Sequence, residues 1–168
     1  IRISGNNNIV ERCIACFNGD SGVQISGSSK YTIENWPDNN QIINCTSFGN
    51  IDVEGDDADG FACKITSGYG NVFDGCIAYC NSDDGWDLFT KRQSGVIGSV
   101  SLKNCISFKN GLSIDASGVI SSSQIGDGNG FKLGGRALEV DHSVDNCVAF
   151  LNMANGFDDN SNPGTITL

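Results

Sequence analysis

The chain has 168 residues, which suits one domain with a hydrophobic core and is too short for two domains of ordinary size. Its net charge of -10 excludes nucleic acid and anionic membrane as direct partners unless a cation intervenes. Its 22 glycines and its many Asn, Ser and Asp residues favour short strands joined by turns. No apolar run is long enough to span a membrane.

A sequence repeat organises the chain. The pattern Cys-x-(Ala or Ser)-(aromatic or Cys)-x-Asn recurs at Cys13, Cys45, Cys76, Cys105 and Cys147. A short apolar strand precedes each copy, and a glycine followed by an apolar residue comes after it. The cysteine spacings of 32, 31, 29 and 42 residues suit one coil of a large parallel β-helix. Equivalent residues of successive coils then stack about 4.8 Å apart.

The repeat predicts two columns of stacked side chains. The asparagines that close the pattern should form an internal amide ladder, and they are Asn18, Asn50, Asn81, Asn110 and Asn152. The five repeated cysteines should form a buried column of free thiols, because free cysteine is among the most buried residue types. Cys16, Cys63 and Cys80 lie outside that column, and their pairing stays open.

The boundaries of the chain and of its coils are irregular. The N-terminus has neither an initiator Met nor a signal-peptide core, and both ends stop in the middle of the repeat. We therefore expect residues 1–168 to be a single β-helix domain cut from a longer polypeptide. Residues 51–56 and 111–127 are insertions, and the second is expected to loop out beside a groove.

An acidic cluster is the strongest chemical signal. Asp83, Asp84 and Asp87 fall within five residues, and alignment of the coils stacks Asp59 of the preceding coil on Asp84. Carboxylates this close repel one another unless a cation lies among them, and hard oxygen ligands suit Ca²⁺. We predict that these four aspartates bind Ca²⁺, with the conformational freedom of Gly85 allowing the backbone to turn there.

Three basic residues accompany the cluster. Lys132 lies in the column of Asp87, one coil further along. A lysine beside a divalent cation and shielded from water has its neutral form favoured, as a general base requires; the alternative is a salt bridge to Asp87. Lys64 and Arg136 fall on the same alternating face and are candidates to bind an anionic ligand.

Other residues give weaker signals. His142 is the only histidine, and its setting resembles a turn between coils, so a Ser/His/Asp triad is not favoured. Residues 57–60 lack the first Asp and the closing Glu of an EF-hand loop. Phe61 and Trp86 alternate inward and are expected in the core.

Residues 57–64, 75–88 and 128–135 together resemble the core of polysaccharide lyase family 9 pectate lyases, and the resemblance extends over essentially the whole chain. It implies a right-handed parallel β-helix of about five coils with an asparagine ladder. It also implies a Ca²⁺ ion and a lysine as catalytic base. Transferred position by position, the calcium ligands are Asp59, Asp83, Asp84 and Asp87, and the base is Lys132.

This resemblance predicts calcium-dependent β-elimination in an acidic polysaccharide. Family members divide between homogalacturonan and rhamnogalacturonan I, and the insertion before Lys132 leaves that choice open. A non-catalytic calcium-binding β-helical adhesin or carbohydrate-binding module remains an alternative, as does a glycoside hydrolase that uses paired carboxylates. We expect the protein to be secreted, because pectin is extracellular. We also expect a monomer.

Overall fold

The computed structural model describes residues 1–168 and consists of 17 short strands, numbered in chain order, with one 3-10 helix at Ile33–Asn35. Three parallel sheets form the walls of a β-helix, which confirms the predicted solenoid of about five coils. No helix of the chain is long and apolar enough to cross a membrane.

Each coil contributes one strand to each sheet. Sheet A is formed by β1 (Arg2–Ile3), β4 (Val23–Ile25), β7 (Phe61–Cys63), β10 (Trp86–Asp87), β13 (Phe131–Lys132) and β16 (Phe157–Asp158). Sheet B is formed by β2 (Ile9–Glu11), β5 (Gln41–Ile43), β8 (Asn71–Asp74), β11 (Val100–Lys103), β14 (His142–Asp145) and β17 (Ile166–Thr167). Sheet C is formed by β3 (Ile14–Cys16), β6 (Thr46–Phe48), β9 (Ile77–Tyr79), β12 (Ile106–Phe108) and β15 (Val148–Phe150).

Each coil turns at two corners through a residue with a left-handed backbone. One corner immediately precedes the repeated cysteine, and the other immediately precedes the repeated asparagine. The φ angles lie between +51° and +68° at Arg12, Asn44, Gly75, Asn104 and Asn146, and at Phe17, Gly49, Cys80, Lys109 and Leu151. Such angles cost of order 1 kcal/mol in non-glycine residues, so the surrounding contacts must hold them in place.

The asparagine ladder supplies contacts of this kind beside the second corner. The side-chain amide of each asparagine donates to Oδ1 of the next, with distances of 2.7 Å from Asn18, 2.8 Å from Asn50, 2.9 Å from Asn81 and 3.0 Å from Asn110. Asn50, Asn81 and Asn110 are fully buried. The predicted ladder is confirmed, and it joins all five coils at one edge.

The core is built from stacked columns. Phe61, Trp86 and Phe131 are fully buried, with ring centroids 4.7 and 4.8 Å apart, so the predicted core positions of Phe61 and Trp86 are confirmed. In the cysteine column the three central thiols are buried and the two outer ones are half-buried. All eight cysteines are free, including Cys16, Cys63 and Cys80.

A second amide ladder was not predicted. At the start of sheet B, Asn8 donates to Asn40 at 2.9 Å, and Asn40 donates to Asn71 at 3.0 Å. His142 lies further along this column as the first residue of β14, and its Nδ1 accepts a hydrogen bond from the backbone N–H of Val100 at 3.2 Å. The prediction of a turn at His142 is therefore wrong, because the residue begins a strand and is buried.

The two insertions meet beside sheet A. Residues 111–127 return to the coil through hydrogen bonds from Ile125 to Gly111 and from Gly126 to Ser82. The side chain of Ile125 packs against Gly55 in the first insertion. The second insertion thus lies along one side of the acidic cluster, as expected.

Candidate functional site

Asp59 and Asp84 are held by a side-chain-to-backbone ladder just before β7 and β10. The backbone N–H of Asp84 donates to Oδ1 of Asp59 at 3.3 Å, and that of Asn129 donates to Oδ1 of Asp84 at 2.7 Å. Ser21 and Asn155 extend the same column at its two ends. Both carboxylates are fully buried, so their orientation is set by the stacking of the coils.

The structure brings three of the four predicted ligands together directly. Carboxylate oxygens of Asp59, Asp83 and Asp84 lie within 4.8 Å of one another. Asp87 lies outside this group of three, and its Oδ2 is 2.9 Å from the ammonium of Lys64. The same ammonium is 2.7 Å from Oδ2 of Asp59, so Lys64 links the fourth carboxylate to the other three.

Gly85 is needed for space and not for a left-handed backbone. The backbone bends at Gly85, as predicted, but its φ angle is not positive. A Cβ there would overlap the hydroxyl of Ser107 and would lie 2.5 Å from the carbonyl oxygen of Gly130. Glycine is therefore required because the next coil approaches the backbone closely.

Lys64 has a setting that differs from the one predicted. Its side chain is only 9% exposed, and the ammonium points into the acidic cluster. Burial lowers the pKa of Lys64, but the carboxylates of Asp59 and Asp87 outweigh burial and hold that pKa well above its ordinary value. Lys64 is therefore a cation, and a contact between it and substrate stays a prediction.

Lys132 pairs in register with Asp87 in the sheet, but its ammonium contacts other carboxylates. It lies 3.0 Å from Oδ2 of Asp84 and 2.9 Å from Oδ2 of Asp127. Burial lowers its pKa, but Asp87 and Asp84 outweigh burial and raise the pKa well above the ordinary value. With protein groups alone Lys132 is protonated, so the neutral base predicted from sequence requires an additional positive charge in the cluster.

Burial raises the pKa of the acidic groups, whereas it lowers the pKa of the two lysines. Burial, followed by the neighbouring charge of Asp84, raises the pKa of Asp83 to about 8. Burial also raises the pKa of Asp84 to about 6, although Lys132 acts against it. Both shifts show that the site is short of positive charge.

The donor set fits a hard divalent cation. Asp84 Oδ2 is buried and accepts no hydrogen bond of normal geometry, although the ammonium of Lys132 lies close to it. Every candidate ligand atom is a carboxylate oxygen, which is the donor type that Ca²⁺ prefers. Asp59, Asp83 and Asp84 could hold such an ion directly, with Asp87 beside them and bridged to Asp59 by the ammonium of Lys64.

The cluster opens into a cleft of about 800 Å³. Half of the chain's ten Lys and Arg residues line it, namely Lys64, Lys91, Arg92, Lys132 and Arg136. Arg136 is exposed and lies 5.7 Å from the ring centroid of Phe89, which is also 5.9 Å from the ammonium of Lys132. Five aspartates also line the cleft, namely Asp56, Asp57, Asp83, Asp87 and Asp127. The protein groups alone therefore leave the lining balanced in charge, and a polyanion would need an additional cation there.

Two residues of the site were not singled out from the sequence. Asp127 lies three positions before Gly130, as Asp57 lies before Gly60, so the alignment of coils contained a signal for it. No signal in the sequence pointed to Phe89. Its ring lies near the cationic groups of Lys132 and Arg136 only because those side chains, from another segment, point towards it.

The architecture and the site together define a parallel β-helix protein with an acidic cluster and two lysines at the base of a cleft rich in charged side chains. A family model described as "Pel9A-like, right handed beta helix region" matches residues 1–168. The chain belongs to this family, which confirms the resemblance and the right-handed β-helix.

Several known proteins that are similar to this chain are pectate lyases. The chain is 50% identical to pectate lyase L of Thermoclostridium stercorarium over 99% of this chain and 13% of the relative. It is 48% identical to pectate lyase L of Paenibacillus polymyxa over 100% of this chain and 37% of the relative. The crystal structure of pectate lyase Pel9A superimposes with a TM-score of 0.81 at 36% identity, covering 98% of this chain and 38% of that one. The chain thus spans well under half the length of these relatives.

Proposed function

We propose that the protein is a calcium-dependent pectate lyase that cleaves homogalacturonan by β-elimination. The observation that carries the proposal is the convergence of three aspartates from two adjacent coils with the ammonium of Lys132, inside a cleft lined by five cationic and five acidic side chains. The similarity to pectate lyases supports the same activity. Because pectin lies outside cells, the protein acts as a secreted enzyme.

The aspartates bind the metal and orient the substrate in this proposal. Asp59, Asp83, Asp84 and Asp87 hold Ca²⁺, and the ladder that fixes Asp59 and Asp84 limits their movement. Bound Ca²⁺ supplies positive charge to the uronate carboxylate of the sugar and so acidifies the proton on C5. Arg136, on the open side of the cleft, contacts a carboxylate of a neighbouring sugar.

Lys132 is the base. It loses its own proton when positive charge enters the cluster, because the carboxylates that hold it protonated are then neutralised. Neutral Lys132 removes the C5 proton, the electron pair forms the C4–C5 double bond, and the C4–O4 bond breaks. Water protonates the leaving oxygen, and the new non-reducing end carries a 4,5-unsaturated sugar. Activity should rise towards alkaline pH, since more Lys132 is then neutral.

A chelator-controlled assay tests this function. Polygalacturonate and rhamnogalacturonan I are incubated with the protein, with calcium and with excess chelator, and ultraviolet absorbance of the unsaturated product is followed. We expect calcium-dependent absorbance on polygalacturonate. Absorbance only on rhamnogalacturonan I would identify a lyase of the other substrate class. New reducing ends without absorbance would indicate hydrolysis, and binding without cleavage would indicate a non-catalytic module.

The first prediction concerns Lys132→Ala. Turnover should fall by about a thousandfold, because the positioned general base is lost, while calcium binding is retained. Steady-state kinetics and calorimetric titration with calcium measure the two effects separately. Retained activity together with lost calcium affinity would contradict the assignment of Lys132 as the base.

A further inference from the structure

Lys64 differs from the other cations of the cleft. Lys91, Arg92 and Arg136 are exposed, whereas Lys64 is buried with its ammonium 2.7 Å from Asp59 and 2.9 Å from Asp87. A side chain enclosed in this way cannot follow a mobile polysaccharide in the open cleft. Its partners are two of the four carboxylates assigned to the metal in the proposed function, on which this inference rests.

The backbone fixes the position of Lys64. The next residue, Ile65, has φ +67°, a left-handed angle that is strongly disfavoured in a β-branched residue. The turn is held by hydrogen bonds from Ile65 to the carbonyl of Phe89 at 2.8 Å and from Thr66 to the carbonyl of Lys64 at 2.7 Å. The surrounding coil therefore maintains a strained turn at the point where Lys64 enters the cluster.

The charges of the cluster add up to the charge of one divalent ion. Among the buried groups, four ionised carboxylates and the ammonium groups of Lys64 and Lys132 leave two unbalanced negative charges. Asp127 is not counted because its side chain is exposed and screened by water. One Ca²⁺ would balance the two buried charges. Without Lys64 the cluster would carry one more negative charge and would favour a cation of higher charge.

We propose that Lys64 is a built-in counter-ion of the metal site, which positions Asp59 and Asp87 and makes the site selective for divalent over trivalent cations. It acts as a positioning residue in this proposal, since its ammonium contacts the carboxylates of Asp59 and Asp87.

Metal titrations of the full chain test this proposal without any measurement of activity. The dissociation constants for Ca²⁺ and Tb³⁺ are measured by calorimetry for the wild type, Lys64→Met and Lys64→Arg. We expect Lys64→Met to increase the preference for Tb³⁺ over Ca²⁺ by about tenfold or more, because the added negative charge acts on one more positive charge in Tb³⁺. Lys64→Arg should keep a preference close to that of the wild type. Lys103→Met is the matched control, since Lys103 is exposed on sheet B.

Thermal stability gives a second measurement. Without metal, the melting temperature of Lys64→Met should fall by about 10 °C, because two buried carboxylates lose their partner. Saturating calcium should recover more of the stability in Lys64→Met than it adds to the wild type.

A purely structural role of Lys64 would lower the affinities for Ca²⁺ and Tb³⁺ equally and leave the preference between them unchanged, which would overturn the proposal. A shift in preference in Lys64→Arg as large as that in Lys64→Met would also overturn it, because arginine keeps the positive charge. A wild type that does not bind calcium at all would refute the metal site of the proposed function itself.

Discussion

Single residues of the acidic cluster show how burial and charge act together. Asp83 and Asp84 are buried by the stacking of coils, and their raised pKa values measure the free energy needed to ionise them without a cation. Ionisation of these carboxylates without a cation therefore lowers the stability of the folded protein.

The second prediction is the pH dependence of stability without calcium. Because the pKa of Asp83 in the folded protein, about 8, exceeds its ordinary value of 3.8, its contribution to stability is present at low pH and is lost as pH rises through about 8. His142 acts only on the acid side, since its pKa is lowered by burial from 6.5 to about 4 and its contribution is lost as pH falls below 6.5. We expect the melting temperature in chelator to fall by about 5 °C between pH 6.5 and pH 9. Calorimetric scans measure this change.

Two controls accompany these scans. Saturating calcium should reduce the alkaline loss, because the ion stabilises the charged carboxylates. Asp83→Asn should also reduce it, because the titrating group is removed. A melting temperature in chelator that rises over this interval would show that Asp83 has no raised pKa.

At the scale of elements, the hydrogen-bonded columns determine how the coils stack. Asn81 is fully buried, accepts from Asn50 at 2.8 Å, and donates to Asn110 at 2.9 Å and to the carbonyl of Ser47 at 3.2 Å. Asp84 lies three residues later in the next column. The stacking that joins the ladder therefore also sets the position of the proposed metal ligands along the axis of the β-helix.

The third prediction concerns the asparagine ladder. Asn81→Ala should reduce the free energy of unfolding by about 2–4 kcal/mol, because buried partners in Asn50 and Asn110 lose their hydrogen bonds. Chemical denaturation measures the loss. The matched control is Asn35→Ala in the 3-10 helix, where Asn35 is exposed, and it should change stability by less than about 0.5 kcal/mol. Equal effects of the two substitutions would mean that the ladder adds no stability.

For the whole molecule, the distribution of charge matters more than its total. The net charge is -10, yet half of the cationic side chains gather around one cleft. The two insertions close one side of that cleft, and Arg92 and Arg136 lie on the other side, joined by a hydrogen bond from Arg92 Nε to the carbonyl of Arg136 at 3.2 Å. The same cleft is lined by five aspartates, so a polyanion meets balanced charge there and repulsion over most of the remaining surface.

The fourth prediction tests the proposed contact between Arg136 and the polyanion. Arg136→Ala should raise KM for polygalacturonate about two- to fivefold with little change in kcat, because an exposed ion pair contributes modestly and acts on binding alone. The effect should shrink as salt is added. Lys103→Ala on sheet B is the control and should leave both constants unchanged. A large fall in kcat with unchanged KM would instead assign Arg136 to the chemical step.

The sequence by itself determined the repeat, and through it the neighbours of every equivalent position. Parallel strands from coils of similar length stack in one register, so the asparagine ladder, the cysteine column and the stacking of Asp59 on Asp84 could all be predicted. The predicted pairing of Lys132 with Asp87 in register is also correct, because it depends on the same rule.

Only the tertiary structure decided where side chains outside the repeat point. The ammonium of Lys64 enters the cluster, Asp127 reaches Lys132 from an insertion, and Phe89 lies near two cations from other segments. The requirement for Gly85 likewise comes from the close approach of the next coil. The physical reason is that the repeat constrains backbone register, whereas the path of an insertion and the rotamer of a long side chain depend on contacts that have no counterpart in other coils.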